Sequence, residues 1–170
     1  MATITERFRN GTTRVYSDGA DLVWERTFDA PREPVWQAFM DAERISRWWG
    51  PHGTTATVVE MDVRPGGRWR YISRAADRDD VPFMGEYLEV EPAERFKQTF
   101  IVDIDGMRDH VGIETYTFED IDGKTKLTSR SHFPSVEDLE GALATGMIAG
   151  GVQTWDRFEA MLTQESVSAD

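Results

Sequence analysis

Apolar and polar residues alternate along most of the chain, and only one long stretch departs from that two-residue rhythm. Between Asp21 and Phe28, Leu22, Trp24 and Phe28 fall on one side and Val23, Glu25 and Thr27 on the other, as in a half-buried strand. Arg26 lies on the apolar side. A guanidinium there needs a carboxylate, supplied by the protein itself or by an anionic ligand. After Asp29-Ala30-Pro31 the pattern changes, and Pro34 to Met40 and Asp41 to Trp48 predict two short helices, proline being tolerated in a first turn. Six strand candidates follow: Thr54 to Val63, Arg68 to Arg74, Phe83 to Val90, Arg95 to Asp103, His110 to Glu119 and Lys124 to Phe133. Turns such as Arg64-Pro65-Gly66-Gly67, Asp105-Gly106 and Asp122-Gly123 separate them, and Asp77 to Asp80 reads as a charged loop. Alternation turns Trp69, Tyr71, Phe96, Gln98, Phe100, Val102, Leu127, Ser129 and Ser131 inward, opposite a face of Arg and Lys; Phe83, Tyr87 and Tyr116 are assigned inward as well.

The exception is Ser135 to Gln164, where Val136, Leu139, Leu143, Met147, Trp155, Phe158 and Leu162 recur at helical spacing and form one stripe. Ser135 stands at the N-cap position, and Glu137 and Asp138 follow in the first turn, where acidic groups suit the helix dipole. Gly146, Gly150 and Gly151 interrupt the middle. Each costs about 1 kcal/mol against alanine in a helix. They mark either a kink with close backbone packing or a place where the helix closes a cavity and leaves room for a ligand.

One strand, two short helices, six strands and a long helix specify an α+β fold, with about seven antiparallel strands whose concave face the terminal helix must cover. Residues 1–20 are polar apart from Ile4, Phe8, Val15 and Tyr16, and read as an N-terminal arm with an optional hairpin. Residues 21–164 form the domain and residues 165–170 a frayed tail.

Composition narrows the function. A formal charge of -12 argues against nucleic acid and against an anionic membrane surface, both of which need a basic face. There is no cysteine, which excludes disulfides, thiolate catalysis and cysteine metal sites, and points to a cytoplasmic protein. No apolar run approaches the roughly 20 residues that span a bilayer, and the N-terminus lacks a secretory pattern. His52, His110 and His132 are isolated, with no metal-ligand spacing, so neither a metal nor a cofactor is expected. Gly66-Gly67 joins two strands and does not open a helix, which makes it a hairpin and not a phosphate cradle. Glu86, Glu114 and His110 are the candidates for proton transfer should one face an apolar cavity, although charged strand residues are mostly solvated. Trp48 and Trp49 read as a plug beneath the sheet, the alternative being direct ligand contact.

Three stretches together carry a resemblance. Arg26 to Pro31 followed by Val35-Trp36, then Trp48-Trp49-Gly50-Pro51, then Asp62 to Trp69 are similar to the activator of Hsp90 ATPase homologue 1-like family, within the START-like (Bet v 1-like) superfamily of polyketide cyclases and lipid-transfer domains. The resemblance runs from about Leu22 to Leu162 and implies a helix-grip fold, in which a curved sheet wraps the C-terminal helix around an elongated apolar cavity. Two positions depart from the family pattern: Ala42 where proline is frequent, and Gly150-Gly151 where a Gly-Trp pair is frequent. The second departure enlarges the cavity unless Trp155 offsets it.

On this reading Trp69, Tyr71, Phe83, Phe100, Tyr116, Met147, Gly151 and Trp155 line a site for a small hydrophobic or aromatic molecule, lipid or polyketide-like, while Gln98, Ser129 or Arg26 orient it without catalysis. A cyclase or hydrolase acting in the same cavity is the first alternative. An Hsp90-type chaperone partner, which the family name suggests, is the second. The resemblance also brings a homodimer into consideration, with the polar arm as an interface.

Overall fold

The computed structural model describes residues 3–168. Chain order is β1 (Ile4–Arg9), β2 (Thr13–Asp18), β3 (Asp21–Phe28), α1 (Arg32–Met40), α2 (Ala42–Trp48), β4 (Thr54–Met61), β5 (Arg68–Ala75) and β6 (Arg78–Glu91). It continues with β7 (Arg95–Val102), β8 (Gly112–Ile121), β9 (Lys124–His132), α3 (Val136–Leu143) and α4 (Met147–Ser168). The strands form one curved sheet in the order β1-β2-β3-β9-β8-β7-β6-β5-β4. Each neighbouring pair is antiparallel.

Nine strands stand where seven were expected, because the arm is part of the sheet. The β1–β2 hairpin extends it beyond β3, and Val15, opposite Trp24 in the register, is fully buried. The Asp77 to Asp80 segment is not a loop. A two-residue turn at Ala76-Asp77 returns the chain directly into β6, which begins at Arg78; the charged residues pair through their backbones while their side chains stay in solvent. β8 starts at Gly112, two residues after His110.

The single helix expected over residues 135–164 is two. Ser135 caps α3, its hydroxyl accepting from the Asp138 amide as foreseen. At Gly146 φ is +83°, a left-handed conformation open to glycine at little cost, and the chain turns there before α4 begins. Val136, assigned to the buried stripe, is 54% exposed on α3, whereas Leu139, Trp155, Phe158 and Leu162 are buried. α4 runs on to Ser168, so the frayed tail is helical over its first four positions, and residues 169–170 lie outside the described residues.

α4 packs on the concave face. Phe158 meets Phe28, Phe39 and Trp48 with ring centroids 5.0, 5.2 and 4.7 Å away, and Trp155 meets Trp24 and Phe28 at 5.7 and 5.9 Å. α1 fills the space beside them, with Trp36 edge-on to Phe96 and Phe118. Such pairs contribute about 0.5–1.5 kcal/mol each beyond their area. Arg26 is paired by the protein itself: its buried guanidinium donates to Asp156 and Glu159 of α4, both at 2.8 Å. Arg157 reaches the other way and donates to the carbonyls of Arg47, Gly50, Pro51 and Thr54, tying α4 to the loop after α2.

Candidate functional site

Beneath the C-terminal half of α4 Phe158 packs against Phe28, Phe39 and Trp48; beneath its N-terminal half the molecule is hollow. Gly146, Gly150 and Gly151 put no side chain there, and Ser73, Ser129 and Ser131 contribute only small ones from the strands. The volume not filled forms a cavity of about 720 Å³, not sealed from solvent, within the 300–1,000 Å³ typical of small-molecule sites. Trp24 and Trp49 join Phe83, Phe100, Met147 and Trp155 as its apolar walls.

Seven of the ten residues assigned from sequence border this cavity: Phe83, Phe100, Tyr116, Ser129, Met147, Gly151 and Trp155. Trp69, Tyr71 and Gln98 do not. Trp69 is 1% exposed and lies behind the wall, its ring 4.7 Å from Tyr71 and 5.7 Å from Phe100. Tyr71 and Gln98 face a separate void of about 20 Å³ between the sheet and α2, room for about one water. All three point inward as alternation requires, but α1, α2 and the neighbouring rings reach them first.

Two aromatic wall residues, Trp24 and Trp49, stand outside the set assigned from sequence, Trp49 having been weighed there as a plug or a ligand contact. Trp48 and Trp49 are adjacent and point apart: Trp48 is the plug, its indole N–H donating to the Ala38 carbonyl at 2.9 Å, while Trp49 stands against Tyr71 and Phe83 on the cavity side. Trp24 answers the question posed by Gly150-Gly151. A Cβ on Gly151 would lie 2.4 Å from the Trp24 ring, so the space beside this glycine is occupied by β3, not by Trp155. The doublet of tryptophans and the inward phase of Trp24 were the available signals.

Of the three proton-transfer candidates only Glu114 faces the cavity. Glu86 is exposed, and His110 sits at the surface beside Asp138 at 3.1 Å. Burial raises the Glu114 carboxyl above its usual range, and the hydrogen bonds from Gln98 Nε2 (2.9 Å) and the Tyr116 hydroxyl (3.4 Å) oppose that rise. Burial likewise lifts the Tyr116 phenol well above its ordinary value, the adjacent Glu114 adding to it. Tyr87, buried beneath the sheet, is pushed up to about 12. Both phenols stay protonated at neutral pH, and Tyr116 donates to Glu114. Among the described residues no group of three His, Asp or Glu side chains is placed to hold a metal ion, and no helix is long and apolar enough to cross a membrane.

A second hollow, about 610 Å³, lies along the C-terminal half of α4 over Phe28 and Leu162; of the carboxylates on it, Asp29, Asp156 and Glu159, the last two are already engaged by Arg26.

Comparison with known proteins agrees with this architecture. Protein Ms6760 from Mycobacterium smegmatis is 27% identical, with a TM-score of 0.77 over 94% of this chain and 97% of its own. A protein from Arthrobacter aurescens superposes with a TM-score of 0.83 at 22% identity, covering 88% of this chain and 91% of its own. The AHSA1 protein from Silicibacter pomeroyi gives 0.72 at 20% identity, covering 86% and 99%. No curated protein matches the chain. The family described as activator of Hsp90 ATPase homolog 1-like protein matches residues 29–163, from the end of β3 through α4, and the chain belongs to that family.

Proposed function

We propose that the chain binds a small apolar or aromatic molecule in the cavity between α4 and the sheet, without converting it. The observation that carries this reading is the hollow itself. About 720 Å³ bordered by tryptophan, phenylalanine and methionine, with a few polar groups among them, matches the size and lining of small-molecule sites. Apolar walls supply affinity; Ser129, Ser131 and the Glu114–Tyr116 pair supply the few polar groups that set orientation. The test is native mass spectrometry of protein purified from its own host. A co-purifying molecule, lost on replacing Gly150 by Phe to fill the cavity, is the expected result. Protein that carries no small molecule, and whose Tm does not respond to a panel of lipids and aromatic compounds, would overturn the reading.

One observation favours a second reading. A carboxyl raised by burial and aimed into an apolar cavity is suited to exchange a proton with a bound substrate, as a cyclase-type enzyme requires. A change in ligand mass on incubation, abolished by Glu114→Gln, would establish it; turnover that survives the substitution would remove it.

A further inference from the structure

We infer that the ligand is an organic cation, a lipophilic amine whose protonated nitrogen meets Glu114 inside the aromatic cavity; this rests on the cavity being a binding site. Among the described residues Glu114 is the only acidic one on the cavity wall. Its two hydrogen-bond donors, Gln98 and Tyr116, are both neutral, and among the described residues it enters no ion pair. A carboxylate has about four acceptor positions, so two remain for N–H donors from the cavity side. Buried carboxylates elsewhere in proteins are paired with cations, and the partner missing here is one that a ligand can bring.

The walls are suited to the same class. Trp24, Trp49 and Trp155 present indole rings, with Phe83 and Phe100 beside them, and aromatic faces attract ammonium groups through the ring quadrupole. A net charge of -12 draws cations toward the molecule and repels anions. An anionic ligand would have to place its charge beside Glu114, out of water.

Arg78, the single cation among the lining residues, does not oppose this. Glu114 is opposite Gln98 in the register and Gln98 is opposite Tyr87, so Arg78 stands nine positions farther along β6. Arg78 is held by the Ser73 carbonyl and hydroxyl and by the Asp79 carbonyl, in a hairpin tip that also carries Asp77, Asp79 and Asp80. The hairpin tip is therefore not a free positive patch, and the cation's favourable end is the Glu114 end.

The experiment compares 2-naphthylmethylamine, 2-naphthylmethanol and 2-naphthoic acid, one ring system in three charge states, by quenching of intrinsic tryptophan fluorescence at neutral pH. The amine is expected to bind about tenfold tighter than the alcohol, and the acid weakest. Glu114→Gln is expected to abolish the preference for the amine over the alcohol, and Glu114→Asp to restore it. An acid that binds as tightly as the amine, or an amine preference that survives Glu114→Gln, overturns the inference and leaves the cavity reading standing. If none of the three binds up to about 1 mM, the inference falls, and the cavity reading is decided separately by the co-purifying molecule and the Tm panel.

Discussion

Gly150 and Gly151 are neighbours in α4 but face different surroundings. A Cβ on Gly150 would meet Pro51 at an ordinary 3.8 Å, whereas one on Gly151 would drive into the Trp24 ring at 2.4 Å. Gly150→Ala is expected to stabilise the fold by about 0.5–1 kcal/mol through helix propensity. Gly151→Ala should destabilise it by about 1–3 kcal/mol, because a fixed indole cannot yield without disturbing the core. Urea unfolding of the two variants separates the outcomes, and equal effects would mean that Trp24 does not hold this place. Glu114 makes a prediction of its own. Its folded pKa lies above the unfolded value, so the native state binds the proton more tightly and loses stability as pH rises from about 4.5 toward the folded pKa. Glu114→Gln removes that loss. Its Tm should exceed that of the parent at neutral pH by more than it does at pH 4, and a gap independent of pH would show the carboxyl to be solvated.

At the scale of elements, α4 is held by charge at one point and by shape elsewhere. Arg26 is almost wholly buried, while Asp156 and Glu159 keep side-chain exposures of 50% and 42%. The asymmetry decides what substitution does. Asp156→Asn leaves Glu159 as the counter-charge and should cost less than about 1 kcal/mol. Replacing both, as Asp156→Asn with Glu159→Gln, strands a buried cation and should cost about 3 kcal/mol. Denaturant unfolding of the single and double variants reads the non-additivity, and simple addition of two small effects would contradict a shared partner. The same element shows where periodicity misleads. A 3.6-residue stripe continues in phase across Ala144 and Thr145, but Gly146 reverses φ and makes two helices of it. Apolar spacing describes faces; it is blind to the sign of one backbone angle.

For the whole molecule, the N-terminal hairpin is part of the sheet and not an appendage. Removing residues 1–19 would strip β2 from β3, expose a long strand edge and uncover Val15's place over the core, where a buried valine contributes about 1.5–3 kcal/mol. The truncated chain is expected to have a lower Tm and to associate further on size-exclusion chromatography; unchanged elution with unchanged Tm would return the hairpin to the status of an arm. Much of the architecture was legible beforehand, since period-two alternation in β5, β7 and β9 and tight turns between them can be satisfied only by an antiparallel meander with Trp69, Phe96 and Leu127 inside. Alternation also turned Tyr71, Gln98 and Ser129 inward, yet only Ser129 borders the large cavity. The sequence by itself determined which face of each strand avoids water, because that depends on neighbours along one chain. Which inward residues meet a hollow and which meet another side chain was decided by the tertiary structure, because empty volume is the difference between what α4, the two short helices and six or more strands contribute together, and no local pattern carries that sum.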